Sequence, residues 1–199
     1  MFEKSPPRYD FHVDGEGESR LLELVSARRF DEAAHAALER YGPELLGFLA
    51  AHLASESDAA EVFAQLTEDL WRGLPAFVGR SSVRTWLYVL ARNAASRWRR
   101  SPWAQDKRRS GDDKLDTLVA VARERTPLWR RTTVKDRFRE IRESLDPDDR
   151  ALLTLRIDRE LSWNDVAEIL GAEPEKCRRR FFDLKAELRE RARDLGLLE

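Results

Sequence analysis

The chain has 199 residues and nearly balanced charge, with 36 lysines and arginines against 37 aspartates and glutamates. Charged residues make up 37% and hydrophobic residues 42% of the composition, so a core requires apolar residues gathered on narrow helix stripes. The single cysteine, Cys177, excludes an internal disulfide, and the three histidines are too scattered to suggest a metal site. We therefore predict neither a metal nor a cofactor.

The amino terminus and the lengths of the apolar segments indicate where in the cell the protein is expected to be located. No apolar run approaches the roughly 20 residues of a membrane-spanning helix, so we expect no membrane insertion. Prolines and charges replace the basic and apolar segments of a secretory signal, which predicts a cytoplasmic protein. We expect residues 1–20, with their prolines, glycines and acidic side chains, to form a mobile acidic tail.

Helical spacing of apolar residues begins at Leu21 and continues through most of the chain. Asp31 is suited to cap a helix that ends before Pro43, and Pro43 is suited to open the next helix. No segment shows the alternation of a strand. The sequence therefore predicts an all-α fold.

The next two helices carry the strongest amphipathic pattern. Ser57 or Asp58 is expected to cap a helix that ends near Gly73. A helix over residues 82–100 has two neighbouring stripes, an apolar one and a second one with Arg84, Tyr88, Arg92 and Arg99. An aromatic ring among arginines suits stacking on unpaired bases, with the guanidinium groups on phosphates.

Helix-breaking residues over 103–133 predict a flexible linker between two small helical domains, at 21–102 and 134–199. Short helices are expected in this linker, at Leu115, Leu118 and Val119, and at the start of the second domain, at Val134, Phe138, Ile141 and Leu145.

The second domain then has the spacing of a helix-turn-helix. Asp146 and Ser162 are suited to cap two helices, Gly171 to form the turn, and Pro174 to begin the last helix. Cys177 is expected in the core. The basic side chains of the last helix suit either a DNA major groove or a merely solvated face.

Short motifs in both domains follow one order along the chain. They are Asp58-Ala59-Ala60-Glu61, Leu70-Trp71-Arg72, RTWLYVLARN from Arg84 to Asn93, LDPDDRALL from Leu145 to Leu153, LSW from Leu161 to Trp163, and AEILG from Ala167 to Gly171. Together they resemble bacterial RNA polymerase sigma factors of the sigma-70 family, in the extracytoplasmic-function (ECF) branch. The resemblance covers residues 21–102 and 134–195.

That resemblance implies a non-enzymatic subunit that binds core RNA polymerase and promoter DNA, and that is often restrained by an anti-sigma protein. It implies polymerase docking by Asp58, Glu61, Gln65 and Glu68. It implies opening of the minus-ten element by Arg80, Ser81, Arg84, Tyr88, Arg92 and Asn93. It implies binding of the minus-thirty-five element by Lys176, Arg178, Arg179 and Phe182.

Two departures from the family pattern leave alternatives open. Ala64-Gln65 stands where the family usually has a Gln-Glu pair, and the segment from Glu175 to Arg180 replaces the usual start of the recognition helix. The alternatives are a degenerate sigma-like module that does not open promoters, and an ordinary helix-turn-helix regulator. An enzyme is the least favoured class, because no nucleophile with its base, phosphate loop or carboxylate pair has suitable spacing.

Overall fold

A computed structural model describes residues 15–110, 141 and 144–194. All regular structure within these residues is helical, which confirms the all-α prediction. The helices are α1 (Gly15–Ser26), α2 (Phe30–Leu53), α3 (Glu56–Gly73), α4 (Val83–Arg100), α5 (Pro102–Ser110), α6 (Pro147–Leu153), α7 (Trp163–Leu170) and α8 (Pro174–Asp194), with a 3-10 turn at Leu74–Ala76 and a π-helical turn at Thr154–Asp158.

Helix α2 runs without a break through Pro43, so the predicted boundary at this residue is wrong. A proline inside a helix removes one backbone hydrogen bond, here the bond to the carbonyl of Glu39. Tyr41, Leu45 and Phe48 are buried on both sides of that position, and their burial keeps the helix continuous. Asp31 lies within the first turn and does not cap the helix; its carboxylate accepts a hydrogen bond from the Trp71 indole at 2.7 Å.

Serine caps begin the next two helices. Ser55, and not Ser57 or Asp58, caps α3, since its hydroxyl accepts a hydrogen bond from the Asp58 backbone N–H at 3.2 Å. Ser82 caps α4 by accepting from the Thr85 backbone N–H at 2.9 Å. Helices α3 and α4 pack against α2 and against each other within the predicted first domain.

Parts of the predicted tail and of the predicted linker are helical. Residues 15–20 belong to α1, in which Glu18 is 6% exposed and accepts a hydrogen bond from the Tyr41 hydroxyl at 3.0 Å. Residues 103–110 belong to α5, where Trp103 packs on Trp98 of α4 with ring centroids 5.1 Å apart. The predicted linker helix and the expected helix around Val134 and Phe138 lie outside the described residues, although Ile141 is helical and buried.

The helix-turn-helix of the second domain has the predicted local features. Asp146 caps α6 through the Asp148 backbone N–H, and Ser162 caps α7 through the Asp165 backbone N–H. Gly171 ends α7 with φ +62°, a conformation that glycine adopts without strain.

The helices of the two predicted domains pack against each other, with α7 on α4 and α6 on α2. One continuous cluster of buried residues extends from Leu21 to Leu184 and includes residues of both predicted domains. Among the described helices, none has the length and apolar character required to cross a membrane.

Candidate nucleic-acid interface

Helix α8 presents the predicted minus-thirty-five residues to solvent. Its buried face consists of Cys177, Phe181, Leu184 and Ala192, which are at most 8% exposed. The opposite face exposes Lys176, Arg178, Arg179 and Phe182. Three cationic donors and one aromatic ring on the second helix of a helix-turn-helix form a surface that can contact phosphates and base edges in a major groove.

Two other residues of α8, Cys177 and Arg180, are engaged within the fold. Burial raises the pKa of the Cys177 thiol, which favours the neutral, unreactive form. The Arg180 guanidinium donates to Asp149 at 2.9 Å and to Glu187 at 2.8 Å, and these hydrogen bonds raise its pKa. Arg180 therefore ties α8 to α6, whereas its neighbours Arg178 and Arg179 face solvent.

Tyr88 is a core residue, so the structure corrects the expectation that it stacks on unpaired bases. Its side chain is 0% exposed, and its ring meets the Phe48 ring edge to face with centroids 5.1 Å apart. Burial raises the pKa of its hydroxyl above the ordinary value. Ala91 and Ala95 follow Tyr88 on the same side of α4, and these small residues signal the close helix packing that buries the ring.

Arg84 and Arg92 are half-buried and engaged in ion pairs. The Arg84 guanidinium donates two hydrogen bonds to the Glu44 carboxylate, at 2.9 and 3.0 Å. Arg92 donates to the Asp148 carboxylate of the second domain at 3.3 Å. The two predicted minus-ten arginines on α4 therefore already hold carboxylates.

The remaining minus-ten candidates differ in exposure. Arg80 lies exposed in the loop before α4, next to Gly79 with φ +69°, and Asn93 is exposed on α4. Ser81 is only 8% exposed, so this structure does not present it to a ligand. Arg80 and Asn93 are the two members of this set that solvent reaches freely.

Three of the four predicted docking residues share one groove. Glu61, Gln65 and Glu68 are exposed on α3 and line a groove of about 540 Å³. Arg97, Trp98 and Trp103 complete its wall from α4 and α5. Asp58 lies at the start of α3 and does not line this groove, so the structure does not group it with the other three.

The contacts between the domains were not predicted. The Thr85 hydroxyl of α4 donates to the Asp165 carboxylate of α7 at 2.9 Å. The Arg159 guanidinium donates to the backbone carbonyl of Glu44 at 3.2 Å. Neither residue type nor spacing marks such contacts in the sequence, because each bond joins segments far apart along the chain.

His52 forms a second connection between the domains. Its Nδ1 lies 2.9 Å from the carbonyl oxygen of Pro147, and its own backbone carbonyl accepts from the Arg150 guanidinium at 3.0 Å. Burial lowers the pKa of His52 to about 4. The imidazole is therefore neutral near pH 7 and donates Nδ1–H to the Pro147 carbonyl.

Comparison with known proteins identifies relatives that cover most of the chain. Residues 37–105 match the family model described as Sigma-70 region 2. RNA polymerase sigma factor YlaC of Bacillus subtilis is 31% identical over 137 residues, which cover 66% of this chain and 76% of that protein. RNA polymerase sigma-H factor of Pseudomonas aeruginosa is 29% identical, covering 84% of this chain and 89% of that protein. ECF RNA polymerase sigma factor SigG of Mycobacterium tuberculosis is 29% identical over 81% of this chain, which spans 48% of that protein.

Proposed function

Because the chain belongs to the ECF branch of the sigma-70 family of RNA polymerase sigma factors, we propose that it directs core polymerase to promoters by binding DNA at two elements. In this proposal the second domain binds the minus-thirty-five element, and the first domain opens the minus-ten element. The polymerase catalyses RNA synthesis, and this chain determines the DNA sequence and the position at which the polymerase binds.

The groove on α3 is the observation that favours a sigma factor over an ordinary helix-turn-helix regulator. A regulator needs only the DNA-binding face of α8, whereas a sigma factor also needs a docking surface for polymerase. The groove combines exposed acidic and amide groups with the Trp98 and Trp103 rings. Aromatic side chains at the centre of a polar rim are typical of surfaces that bind protein partners.

The DNA contacts follow from the exposed groups. Lys176, Arg178 and Arg179 bind phosphates or guanine edges of duplex DNA, and Phe182 contacts a thymine methyl group. Arg80 and Asn93 are the first contacts of the minus-ten element on the other domain. Arg84 and Arg92 join them when their carboxylate partners are displaced.

The near-neutral net charge of −1 supports the division of labour with polymerase. A strongly basic chain would bind the large excess of nonspecific DNA by itself, since phosphate contacts dominate such binding. A balanced chain instead gains promoter affinity when core polymerase holds both domains at the correct spacing. An anti-sigma protein belongs to the proposal only as a further regulatory partner.

A second candidate is a sigma-like module that binds polymerase without opening promoters. Gln65 favours it, because an amide replaces a carboxylate in the docking helix. The half-buried and paired state of Arg84 and Arg92 also favours it. The two candidates differ in one measurable product, a promoter-dependent transcript.

The test combines the purified chain with core RNA polymerase from the same organism. We expect co-elution on a sizing column at low and moderate salt, and run-off transcripts from promoters mapped by sequencing of those transcripts. Glu61→Ala and Glu68→Ala should weaken co-elution, whereas the matched control Glu39→Ala, an exposed acidic residue of α2, should not. Co-elution without any transcript would favour the second candidate, and no co-elution would contradict both.

A further inference from the structure

We propose that Glu18 is a positioning residue for recognition of the minus-ten element. Its carboxylate, which lies on α1, holds the first turn of α4 and thereby fixes the loop that presents Arg80 to DNA. The inference rests on the proposed function, because it concerns how the first domain distinguishes minus-ten bases. It assigns a role in base selection to a residue that does not itself contact DNA.

Glu18 is a buried acidic residue. Its side chain is 6% exposed, and Leu21, one turn later on α1, is buried as well. Burial of a carboxylate is unfavourable unless hydrogen bonds replace its hydration, so an apolar residue would fill this position at a lower cost in stability. The presence of a carboxylate here is explained by the groups that its two oxygens bind.

The two carboxylate oxygens bind two different helices. Oε2 accepts from the Tyr41 hydroxyl of α2 at 3.0 Å, and Oε1 accepts from the backbone N–H of Val83, the first residue of α4. Val83 is 1% exposed, so water does not compete for this N–H group. We call the hydrogen bond between Val83 and Glu18 the tether. It fixes the start of α4 relative to α1 and α2.

Helix α4 obtains from α1 a negative charge that its own first turn lacks. No acidic residue lies in that turn, although the amino terminus of a helix favours negative charge. The Ser82 hydroxyl accepts from the Thr85 backbone N–H at 2.9 Å, and Glu18 accepts from that of Val83. A local cap and a distant carboxylate thus satisfy two of the four N–H groups that a helix start leaves without an intrahelical partner.

The loop before α4 is anchored at both ends. At its start the Phe77 ring packs on the Trp86 ring of α4, with centroids 4.8 Å apart. At its end the tether from Val83 to Glu18 holds the backbone. Arg80 is exposed between these two anchors. The direction in which Arg80 leaves the loop therefore depends on the tether.

Base discrimination requires that the contacting groups are placed to within about 1 Å. Loss of the Glu18 carboxylate releases the end of the loop, so Arg80 then samples positions that suit several bases about equally. Helix α8 packs on α6 and α7, so its binding of the minus-thirty-five element should not change. The proposal thus predicts a loss of discrimination in one promoter element and not in the other.

The experiment uses the full chain with two substitutions of Glu18. Glu18→Leu fills the position but accepts no hydrogen bond, and Glu18→Ala replaces it if the leucine variant does not fold. Glu18→Gln preserves the tether, because its amide oxygen accepts from the Val83 N–H while its amide NH₂ group donates to the Tyr41 hydroxyl. Circular dichroism checks that each variant retains its helix content.

Two control variants lie on α2. Tyr41→Phe removes the hydroxyl that binds the other carboxylate oxygen and leaves the tether intact. Leu49→Ala removes a side chain that is 0% exposed, and it controls for a general loss of stability. A residue that only stabilises the first domain should behave like these controls.

Hydrogen exchange followed by mass spectrometry tests the tether in the free protein. Glu18→Leu should increase the exchange rate of residues 81–86 about tenfold, because the first turn of α4 opens more often without the tether. Glu18→Gln and Tyr41→Phe should change this rate much less. Leu49→Ala should increase exchange throughout the first domain without singling out this segment.

Transcription by the holoenzyme tests base discrimination. Each chain is combined with core polymerase, and run-off transcripts are compared between a promoter and derivatives with one substituted base in either element. Glu18→Leu should reduce discrimination among minus-ten bases about fivefold and leave minus-thirty-five discrimination unchanged. Glu18→Gln and the two controls should retain both preferences, because a ratio between promoters does not depend on the amount of folded protein.

Three results would overturn the inference. If Glu18→Leu and Leu49→Ala gave the same pattern of exchange, Glu18 would not hold the start of α4. If residues 81–86 exchanged faster while minus-ten discrimination stayed, Glu18 would have a structural role only. If both Glu18 variants lost discrimination equally, accepting the Val83 N–H would not be the relevant property.

The proposed function fails by a different result, the absence of co-elution and of transcripts with the original chain. The exchange rates of the free protein still test the tether in that case. The two failures are therefore distinguishable.

Discussion

The Glu18 carboxylate of α1 accepts a hydrogen bond from the backbone N–H of Val83, the first residue of α4. The amino terminus of a helix has free N–H groups and a partial positive charge, so a carboxylate is stabilised there. The same carboxylate accepts from the Tyr41 hydroxyl at 3.0 Å. Glu18 thus joins α1, α2 and α4 at the base of the loop that carries Arg80.

Glu18→Ala should destabilise the first domain, because it leaves the Val83 N–H and the Tyr41 hydroxyl buried without their acceptor. We expect a loss of about 1 to 3 kcal/mol in the free energy of unfolding, measured by urea denaturation. Glu23→Ala changes an exposed acidic residue of the same helix and serves as the control. Equal stability of the two variants would show that the buried carboxylate does not stabilise α4.

Tyr88→Ala distinguishes a core residue from a base-stacking residue. A large cavity beside Phe48 should cost about 3 to 5 kcal/mol of stability, whereas loss of an exposed ring would cost little. Tyr88→Phe should change stability by less than about 1 kcal/mol, since the hydroxyl has no hydrogen-bond partner among the described residues. Thermal unfolding measures the change in stability of both variants. A stable Tyr88→Ala variant with weakened DNA binding would restore the stacking role.

Stability should fall as the pH falls from 7 to 5, partly because of His52. Its pKa is about 4 in the folded chain, against 6.5 for a free imidazole, and burial is the largest cause. The unfolded chain therefore takes up a proton in this range while the folded chain does not. The neighbouring Arg99 and Arg150 also lower the pKa, and Asp148 and the hydrogen bond to the Pro147 carbonyl oppose them.

The expected loss from this one group is about 2 kcal/mol between pH 7 and pH 5. Urea denaturation at several pH values measures the slope. His52→Gln should flatten it, whereas His35→Gln, a change at an exposed histidine, should not. An unchanged slope in His52→Gln would mean that other groups cause the pH dependence.

Neighbouring arginines of α8 should behave differently when replaced. Arg179→Ala should weaken promoter binding by the assembled holoenzyme and reduce its salt slope by about one, with no loss of stability. Arg180→Ala should instead destabilise the second domain by up to about 1 kcal/mol, because it removes the partially exposed pair with Asp149. Gel-shift titration and urea denaturation separate the two effects. Identical behaviour would contradict the assignment of these residues to different faces.

Local features of the fold were predictable from local chemistry. Asp146 and Ser162 cap helices, and Gly171 forms a turn, because each role depends on residues within one helical turn. The face of α8 followed in the same way from helical spacing. Such features need no knowledge of the rest of the chain.

Features that depend on distant packing were not predictable. Pro43 does not interrupt α2, because the burial of its neighbours stabilises the helix by more than the loss of one hydrogen bond costs. Tyr88 has the spacing of the arginine stripe but is covered by other helices. The hydrogen bonds between the two predicted domains depend on backbone carbonyls, such as that of Glu44, which carry no sequence signal.

The continuity of α2 links distant parts of the molecule mechanically. Its 24 residues form a rod about 36 Å long, at 1.5 Å per residue. Tyr41 contacts α1 near the middle of this rod, and His52 contacts the second domain at its end. A force that tilts α2 at one of these contacts therefore also moves the other contact. The helix bends most easily at the turn around Pro43, because one backbone hydrogen bond is missing there.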